Sequence, residues 1–173
     1  MKTQTFNVVN TQSNIDWVGR KVTGAHNGII QIKQGTLTFN DSKLTEGAFI
    51  IDTTSIKILD IEDVNTNAQM AGHLASDDFF ASEKYPEATF HITSVNGDHI
   101  TGNLTIKGIT HPVSFDASLV VHGNTLTASG KIIVDRTKYD MKFRSGNFFQ
   151  NLGDTLIYND FDLNIHITAA AAL

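Results

Sequence analysis

The chain has 173 residues, 40% of them hydrophobic, a formal charge of −5 at pH 7 and no cysteine. This length suits a single domain, and its scattered lysines and arginines form no basic stripe for a nucleic-acid backbone. The missing cysteines exclude disulfides, thiolate chemistry and cysteine-ligated metal sites.

Neither a membrane-spanning helix nor a signal peptide is predicted. No apolar run approaches about eighteen residues, and the N-terminal sequence MKTQTFNVV lacks the apolar core of an export signal. We therefore expect a soluble chain, cytoplasmic as written, and periplasmic if an export signal was removed from it.

Three strands are predicted in the first third of the chain, over residues 15–23, 29–39 and 44–52. The turn residues between them, Asn27-Gly28 and Asp41-Ser42, tolerate positive φ or form local hydrogen bonds. Short turns of this kind are typical of consecutive antiparallel hairpins.

Strand alternation fails between residues 56 and 82, where we expect one short helix. Asp63, Asn65 and Asn67 precede a weak helical spacing through Met70, His73 and Leu74. Asp77 and Asp78 would simply cap a helical turn.

Strict alternation returns with a strand over residues 88–95 and recurs in four later strands, the last of which ends at residue 168. A shift of one residue would move each apolar set into water, so every strand has one inward face. The inward positions of the last four strands are Ile100, Gly102, Leu104, Ile106; Val113, Phe115, Ala117, Leu119, Val121; Leu126, Ala128, Gly130, Ile132, Val134; and Phe161, Leu163, Ile165, Ile167.

These elements predict an all-β fold, an antiparallel up-and-down barrel of about eight strands with one helical excursion. Closure removes the exposed edges that aggregate. A two-sheet sandwich gives the same alternation and remains the structural alternative. We expect one domain over residues 1–168, and we read residues 169–173 as a vector-derived tail outside the fold.

An eight-stranded barrel is either filled by side chains or wide enough for one small ligand. The inward parity mixes large phenylalanines with glycine and alanine, such as Gly102, Ala117 and Gly130. From the residues alone, these small side chains either leave a lumen or simply make room for neighbouring rings in a packed core.

Four segments resemble one known family. The segment HLASDDFFASEKYPEATF, residues 73–90, carries Leu74, Asp77, the Phe79-Phe80 pair, Tyr85-Pro86 and Phe90 in the family's order. Residues 103–113 are similar to its LTIKG-T-PV block, and residues 17–28 and 135–143 to its opening and late blocks. The chain thus resembles the YceI-like polyisoprenoid-binding family over about residues 5–168.

The resemblance implies a lipocalin-like barrel that holds a long apolar lipid, a polyisoprenoid or an isoprenoid quinone, as a non-catalytic carrier or storage protein. It implies no cofactor besides that lipid and no metal. Phe79 or Phe80 would act as a gate or a plain hydrophobic plug, and Trp17 more simply closes the barrel base. The candidate lumen residues are Trp17, Phe39, Phe49, Phe79, Phe80, Phe90, Ile92, Leu104, Ile106, Phe115, Ala117, Leu119, Ile132, Phe161 and Leu163.

A phosphate or quinone head group would need donors at the barrel mouth. Arginine suits phosphate through its bidentate fork, so the candidates are Arg20, Arg136 and Arg144. Each is also an ordinary solvated strand residue in the simpler interpretation.

Two other classes of function stay open. A barrel enzyme would use His26 or His73 with Asp77 or Asp78, although no catalytic motif is present. A ligand-free interaction module would have a solid barrel. Val120 and the pair Ile132-Ile133 leave room for a homodimer patch.

Overall fold

The computed structural model describes residues 2–146, 148, 150, 152–153 and 156–172. These residues form one antiparallel sheet, one α-helix and two short 3-10 helices over Asn10–Gln12 and Arg136–Tyr139. The strands and the α-helix are β1 (Thr3–Val8), β2 (Asn14–Lys21), β3 (Gly24–Asn40), β4 (Lys43–Ile58), α1 (Val64–Ala75), β5 (Glu87–Asn96), β6 (His99–Ile106), β7 (Ile109–His122), β8 (Thr125–Asp135) and β9 (Ile157–Ala171).

The sheet closes on itself as an eight-position barrel. From β2 to β9 each strand pairs with the next, and β9 returns to pair with both β1 and β2. β1 and β2 run in the same direction and occupy one position between β3 and β9, interrupted by the first 3-10 helix. The predicted up-and-down barrel is confirmed, and the sandwich is not formed.

The strand β1, which forms the first half of the position shared with β2, was not predicted from the sequence. β1 pairs with residues 36–40 of β3 and residues 169–171 of β9, and its Phe6 is fully buried. Six residues followed by a 3-10 turn give too short an alternation to stand out from the sequence.

The C-terminal boundary of the fold also needs correction. β9 continues to Ala171, and Ala169 is fully buried opposite Leu126 and Val8. Alanine has weak strand propensity, so the alanine run gives little strand signal, but closure of the barrel demands a partner for β8 and β1 there. Excluding residues 169–171 from the fold was therefore wrong, while the vector origin of the segment stays a prediction.

The two ends of the barrel differ. At the helical end, β4 leads into α1 and β8 leads into the second 3-10 helix. At the opposite end, which we call the closed end, Phe6, Leu126 and Ala169 have no exposed surface. Phe39 packs edge-on against Phe6, with ring centroids 5.5 Å apart. The closed end is thus filled by side chains.

The predicted helix is confirmed as α1, and its cap is Asp63. The Asp63 carboxylate accepts from the backbone N–H of Thr66 at 2.8 Å and from its hydroxyl at 2.6 Å. The side chain of Asn67 donates to the carbonyls of Ile58 and Ile61, which ties the helix to the end of β4. Asp77 and Asp78 lie beyond the helix and cap no turn of it, so that prediction was wrong.

Gly28 lies where two strands approach closely, and this gives a test of the register. A Cβ at Gly28 would stand 1.8 Å from the carbonyl oxygen of Lys57 and 2.6 Å from the Trp17 ring, whereas a Cβ at Gly19 meets nothing within 4 Å. We expect Gly28→Ala to lower the free energy of unfolding by about 1–3 kcal/mol, because overpacking forces the backbone apart. Urea unfolding measures this.

Gly19→Ala is the matched control, and its unfolding midpoint should equal or slightly exceed that of the wild type. Equal stabilities of the two variants would show that β3 and β4 do not meet at Gly28 as described.

The outer surface matches the predicted outward parity. His91, His99, His122 and His166 are all exposed. Val120 and Ile133 are 56% and 58% exposed, whereas Ile132 is buried on the cavity wall and cannot belong to a dimer patch; a homodimer through Val120 and Ile133 stays a prediction. In the described part of the chain, no helix has the length and apolar character needed to cross a membrane.

Candidate functional site

A cavity of about 230 Å³ runs inside the barrel and reaches the helical end. It is slightly smaller than the roughly 300–1,000 Å³ of typical small-molecule pockets. Its wall is built from the inward positions of the strands, while Met70, Leu74, Phe79 and Phe80 line it from the helical end. The arrangement suits one slender apolar chain better than a bulky ligand.

The inward parity places almost every predicted lumen residue on this wall. The lining residues among them are Trp17, Phe49, Phe79, Phe80, Phe90, Ile92, Leu104, Ile106, Phe115, Ala117, Leu119, Ile132, Phe161 and Leu163. Phe39 is the exception, because it sits at the closed end against Phe6 and does not line the cavity. Trp17 lies opposite Gly28 and Leu163, toward the helical end, so it does not close the barrel base.

The sequence left open whether the small inward residues leave a lumen or make room for neighbouring rings. The structure shows both. A Cβ at Gly102 would meet the Phe90 ring at 2.4 Å, and one at Gly130 would meet the Phe115 ring at 3.0 Å. These glycines therefore seat neighbouring rings against the wall. The cavity remains beside those rings, so the barrel is not solid.

The aromatic pair after α1 closes over the helical end of the cavity. The backbone N–H of Phe80 donates to the carbonyl of Leu74 at 3.0 Å, which folds the segment back on the helix. Phe79 packs edge-on with Phe143, and Phe80 with Phe161, at centroid distances of 6.0 and 6.4 Å. Both rings line the cavity, which is compatible with a plug or a gate.

Sequence reasoning missed the contribution of the helix to the wall. Met70 and Leu74 stand four residues apart, so they share one helix face, and both line the cavity. This four-residue spacing was the signal in the sequence that could have identified an inward face of the helix. The remaining apolar lining residues are Met141, in the loop after the second 3-10 helix, and the strand residues Ile15, Ile30, Ile32, Leu37, Ile51, Ile56, Ala88, Ile100, Ala128, Ile157, Ile165 and Ile167.

The three head-group candidates have very different surroundings. Arg20 lies at the rim of the lining, but its Nη2 is held 2.8 Å from Asp162 on the outward parity. Arg144 is exposed, does not line the cavity and stacks over Phe143 at 4.9 Å. The structure does not bring the two guanidinium groups together at a common subsite.

Arg136 alone among the three is buried, with 3% of its surface exposed. Nε donates to the carbonyl of Tyr158 at 2.9 Å, Nη1 to that of Met141 at 2.6 Å and Nη2 to that of Ile157 at 3.0 Å. Its guanidinium lies 5.8 Å from the Phe79 ring centroid, and the residue lines the cavity. Burial lowers the pKa of this guanidinium, against the smaller opposing effect of Asp135.

The two histidine candidates each have an acidic neighbour. His26 Nδ1 lies 2.9 Å from Asp60 Oδ2, and His26 lines the cavity. His73 Nε2 lies 3.0 Å from Asp78 Oδ2, and its ring packs edge-on against Phe143 at 4.6 Å. The expected His73–Asp78 proximity is present, whereas the partner of His26 is Asp60 rather than Asp77 or Asp78.

Two buried polar atoms have no hydrogen-bond partner within the described residues, Trp17 Nε1 and the Tyr139 hydroxyl. Burial raises the pKa of the Tyr139 phenol to about 12, so it stays neutral. Trp17 stands on the cavity wall, which makes its emission a natural reporter of what enters.

Asp162 supports the barrel wall beside the cavity and gives a pH-dependent prediction. Hydrogen bonds from Arg20 and Lys131 lower the pKa of this carboxyl, while burial opposes them. Because the folded pKa is depressed, the stabilisation is complete above the unfolded value of about 3.9 and is lost as pH falls through the folded value. Asp162→Asn should lower the free energy of unfolding by about 1.5–3 kcal/mol at pH 7, and by less below about pH 4.

Urea unfolding at pH 7 and pH 3 measures that difference. Asp116→Asn is the control, because the Asp116 side chain is 82% exposed and its pairing with His99 is on the surface. A deficit of Asp162→Asn that is as large at pH 3 as at pH 7 would contradict the charge-based explanation.

Comparison with known proteins agrees with this geometry. The YceI-like domain family model matches residues 6–169. Protein YceI of Escherichia coli O157:H7 is 40% identical over 96 residues, which are 52% of this chain and 47% of that protein. UPF0312 protein plu2095 of Photorhabdus laumondii is 33% identical over 131 residues, 69% of this chain and 61% of that protein. The chain thus spans about half the length of the first of these relatives and about three fifths of the second.

Solved structures share the barrel. Burkholderia cenocepacia BcnA aligns with a TM-score of 0.67 at 22% identity, covering 92% of this chain and 98% of that one. A polyisoprenoid binding domain from Saccharophagus degradans, implicated in plant cell wall breakdown, aligns with a TM-score of 0.64 at 12% identity, covering 96% and 98%. At these identities the two likenesses show the fold alone. With the family model matching nearly all of a barrel of this topology, the chain belongs to the YceI-like domain family.

Proposed function

We propose that this protein binds one long apolar lipid chain, a polyisoprenoid or the tail of an isoprenoid quinone, in the barrel cavity. The observation that carries the proposal is the internal cavity of about 230 Å³ with an almost continuous wall of aliphatic and aromatic side chains. Membership of the YceI-like domain family supports it, as does the barrel shared with a polyisoprenoid binding domain.

Burial of hydrocarbon supplies the affinity in this proposal. Each methylene moved from water into the cavity contributes about 0.8 kcal/mol, so a chain needs no specific polar contact to bind tightly. The aromatic side chains Phe49, Phe90, Phe115 and Phe161 line the cavity and offer polarisable faces to an unsaturated chain.

We infer that the protein acts as a non-catalytic carrier or store for this lipid. The lining histidine, His26, is engaged with Asp60, which itself accepts from the backbone N–H of Asn27 at 3.1 Å. This contact joins β3 to the segment after β4 and gives the pair a structural task. The carrier proposal needs no reaction at this pair.

Tryptophan fluorescence tests the proposal directly, because Trp17 is the only tryptophan and lines the cavity. Titration of the wild type with geranylgeraniol should shift the Trp17 emission and saturate at one lipid per protein. The variant His122→Ala, changed on the exposed outer surface, should give the same saturation curve within about twofold. An emission spectrum that stays unchanged up to the solubility limit would overturn the proposal.

A further inference from the structure

The guanidinium of Arg136 is a buried positive charge at the helical end of the cavity. An arginine stays protonated at any pH at which proteins fold, so the charge is permanent. Its three carbonyl acceptors belong to Tyr158, Met141 and Ile157, all at the strand and loop ends that surround the cavity. These contacts fix the guanidinium in place beside the lining.

No carboxylate of the described residues lies within 4 Å of this guanidinium. The acid next to it in sequence, Asp135, uses its carboxylate to accept from the backbone N–H and the hydroxyl of Thr137, at 3.0 and 2.6 Å. Backbone carbonyls carry no formal charge, and Asp135 offsets only part of the cost of burying the guanidinium, since burial is the larger effect on its pKa. A buried charge without a partner is costly to hold, which points to a compensating anion from outside the chain.

The hydrogen-bond capacity of the group leads to the same conclusion. A guanidinium carries five N–H donors in a planar fork, and three of them have acceptors among the described residues. One N–H on each terminal nitrogen has no acceptor among the hydrogen bonds of the described residues. Two such donors match the two oxygens of a carboxylate or a phosphate group.

We propose that Arg136 is the head-group subsite of this cavity and binds the anionic oxygen group, carboxylate or phosphate, at the end of a long-chain lipid. The inference rests on the proposed function and adds the class of the ligand to it. The lipid then lies with its head at the helical end, beside Phe79, and its tail toward the closed end at Phe6.

Lipids matched in chain but not in head group test this on the wild-type protein. Oleic acid is compared with oleyl alcohol, and geranylgeranyl phosphate with geranylgeraniol, by Trp17 fluorescence at pH 7.5. We expect at least one anionic lipid to bind about 10-fold or more tighter than its alcohol, as charged hydrogen bonds predict. The pair that shows the preference identifies the head group as carboxylate or phosphate.

Variants assign the preference to Arg136. Arg136→Met should lose the preference for the anionic lipid over its alcohol, whereas Arg136→Lys should keep part of it. Arg144→Met is the matched control and should keep all of it, because Arg144 is exposed and does not line the cavity. If Arg136→Met fails to fold, the comparison of lipids on the wild type and the reduced preference expected of Arg136→Lys still test whether Arg136 binds the anionic head group.

The outcomes separate the two proposals. Equal affinity of the wild type for anionic lipids and their alcohols would overturn the head-group subsite and leave the lipid-binding proposal standing. A preference that survives in Arg136→Met would also overturn the subsite. Absence of binding by all four lipids would overturn the proposed function itself.

Discussion

Ala117→Phe should abolish or greatly weaken binding of a long lipid while the barrel stays folded. Ala117 lies on β7 opposite Gly130, lines the cavity and is 7% exposed. A phenylalanine there projects a ring into the space that the chain would occupy. Displacing about three to five methylenes at about 0.8 kcal/mol each weakens binding by about 50- to 1,000-fold.

The neighbouring residue Ser118 provides the matched control. Ser118 is exposed on the outward parity of the same strand, so Ser118→Phe adds the same ring outside the barrel. Its lipid titration should match that of the wild type. Wild-type affinity in Ala117→Phe, with circular dichroism showing an intact sheet, would mean that the lipid does not bind in the cavity.

Phe6→Ala should produce the largest loss of stability among single core substitutions at the closed end. Phe6 has no exposed surface and packs edge-on against Phe39, in a region that the cavity does not reach. Removing a fully buried phenylalanine costs about 3–5 kcal/mol, because the vacated space is only partly refilled. Urea unfolding of the ligand-free protein measures the change.

The control for Phe6→Ala is the same substitution at a phenylalanine on the surface. Phe148 is 51% exposed, and its ring lies 4.8 Å from Lys142 Nζ, so Phe148→Ala should change stability by less than about 1 kcal/mol. A loss below about 1 kcal/mol for Phe6→Ala would show that β1 does not close the barrel as described.

Most of the fold could be predicted from the sequence because strand parity is a strong local signal. In β6, the buried positions Ile100, Gly102, Leu104 and Ile106 alternate with less buried neighbours, as the pattern predicts. The strand residues proposed for the lumen line the cavity apart from Phe39. Parity says which face is inward but not how far along the axis a residue lies, and Phe39 lies beyond the cavity at the closed end.

The predictions that were wrong concern segments whose structure depends on pairing with strands far away in the sequence. β1 is stable only because β3 and β9 both accept it, and residues 169–171 extend β9 only because β1 and β8 offer partners. Neither the sequence of a six-residue segment nor that of an alanine run indicates which strands will pair with it. The helix face of Met70 and Leu74 likewise becomes cavity wall only through its placement at the barrel end.

The sequence could not rank the three arginines. Arg20 and Arg144 have the same chemistry as Arg136, and the resemblance does not distinguish their surroundings. The difference arises from tertiary contacts: Asp162 engages Arg20, Arg144 faces solvent, and three carbonyls hold Arg136 at the cavity. Desolvation of a charge is a property of the folded chain alone.

Native mass spectrometry of the freshly purified protein, followed by organic extraction of any released lipid, determines whether the barrel cavity holds a lipid. We expect one bound lipid per chain in the wild type, lost in Ala117→Phe, with a long isoprenoid or quinone tail recovered in the extract. A wild-type mass equal to that of the bare chain, unchanged after incubation with prenyl lipids, would contradict this expectation.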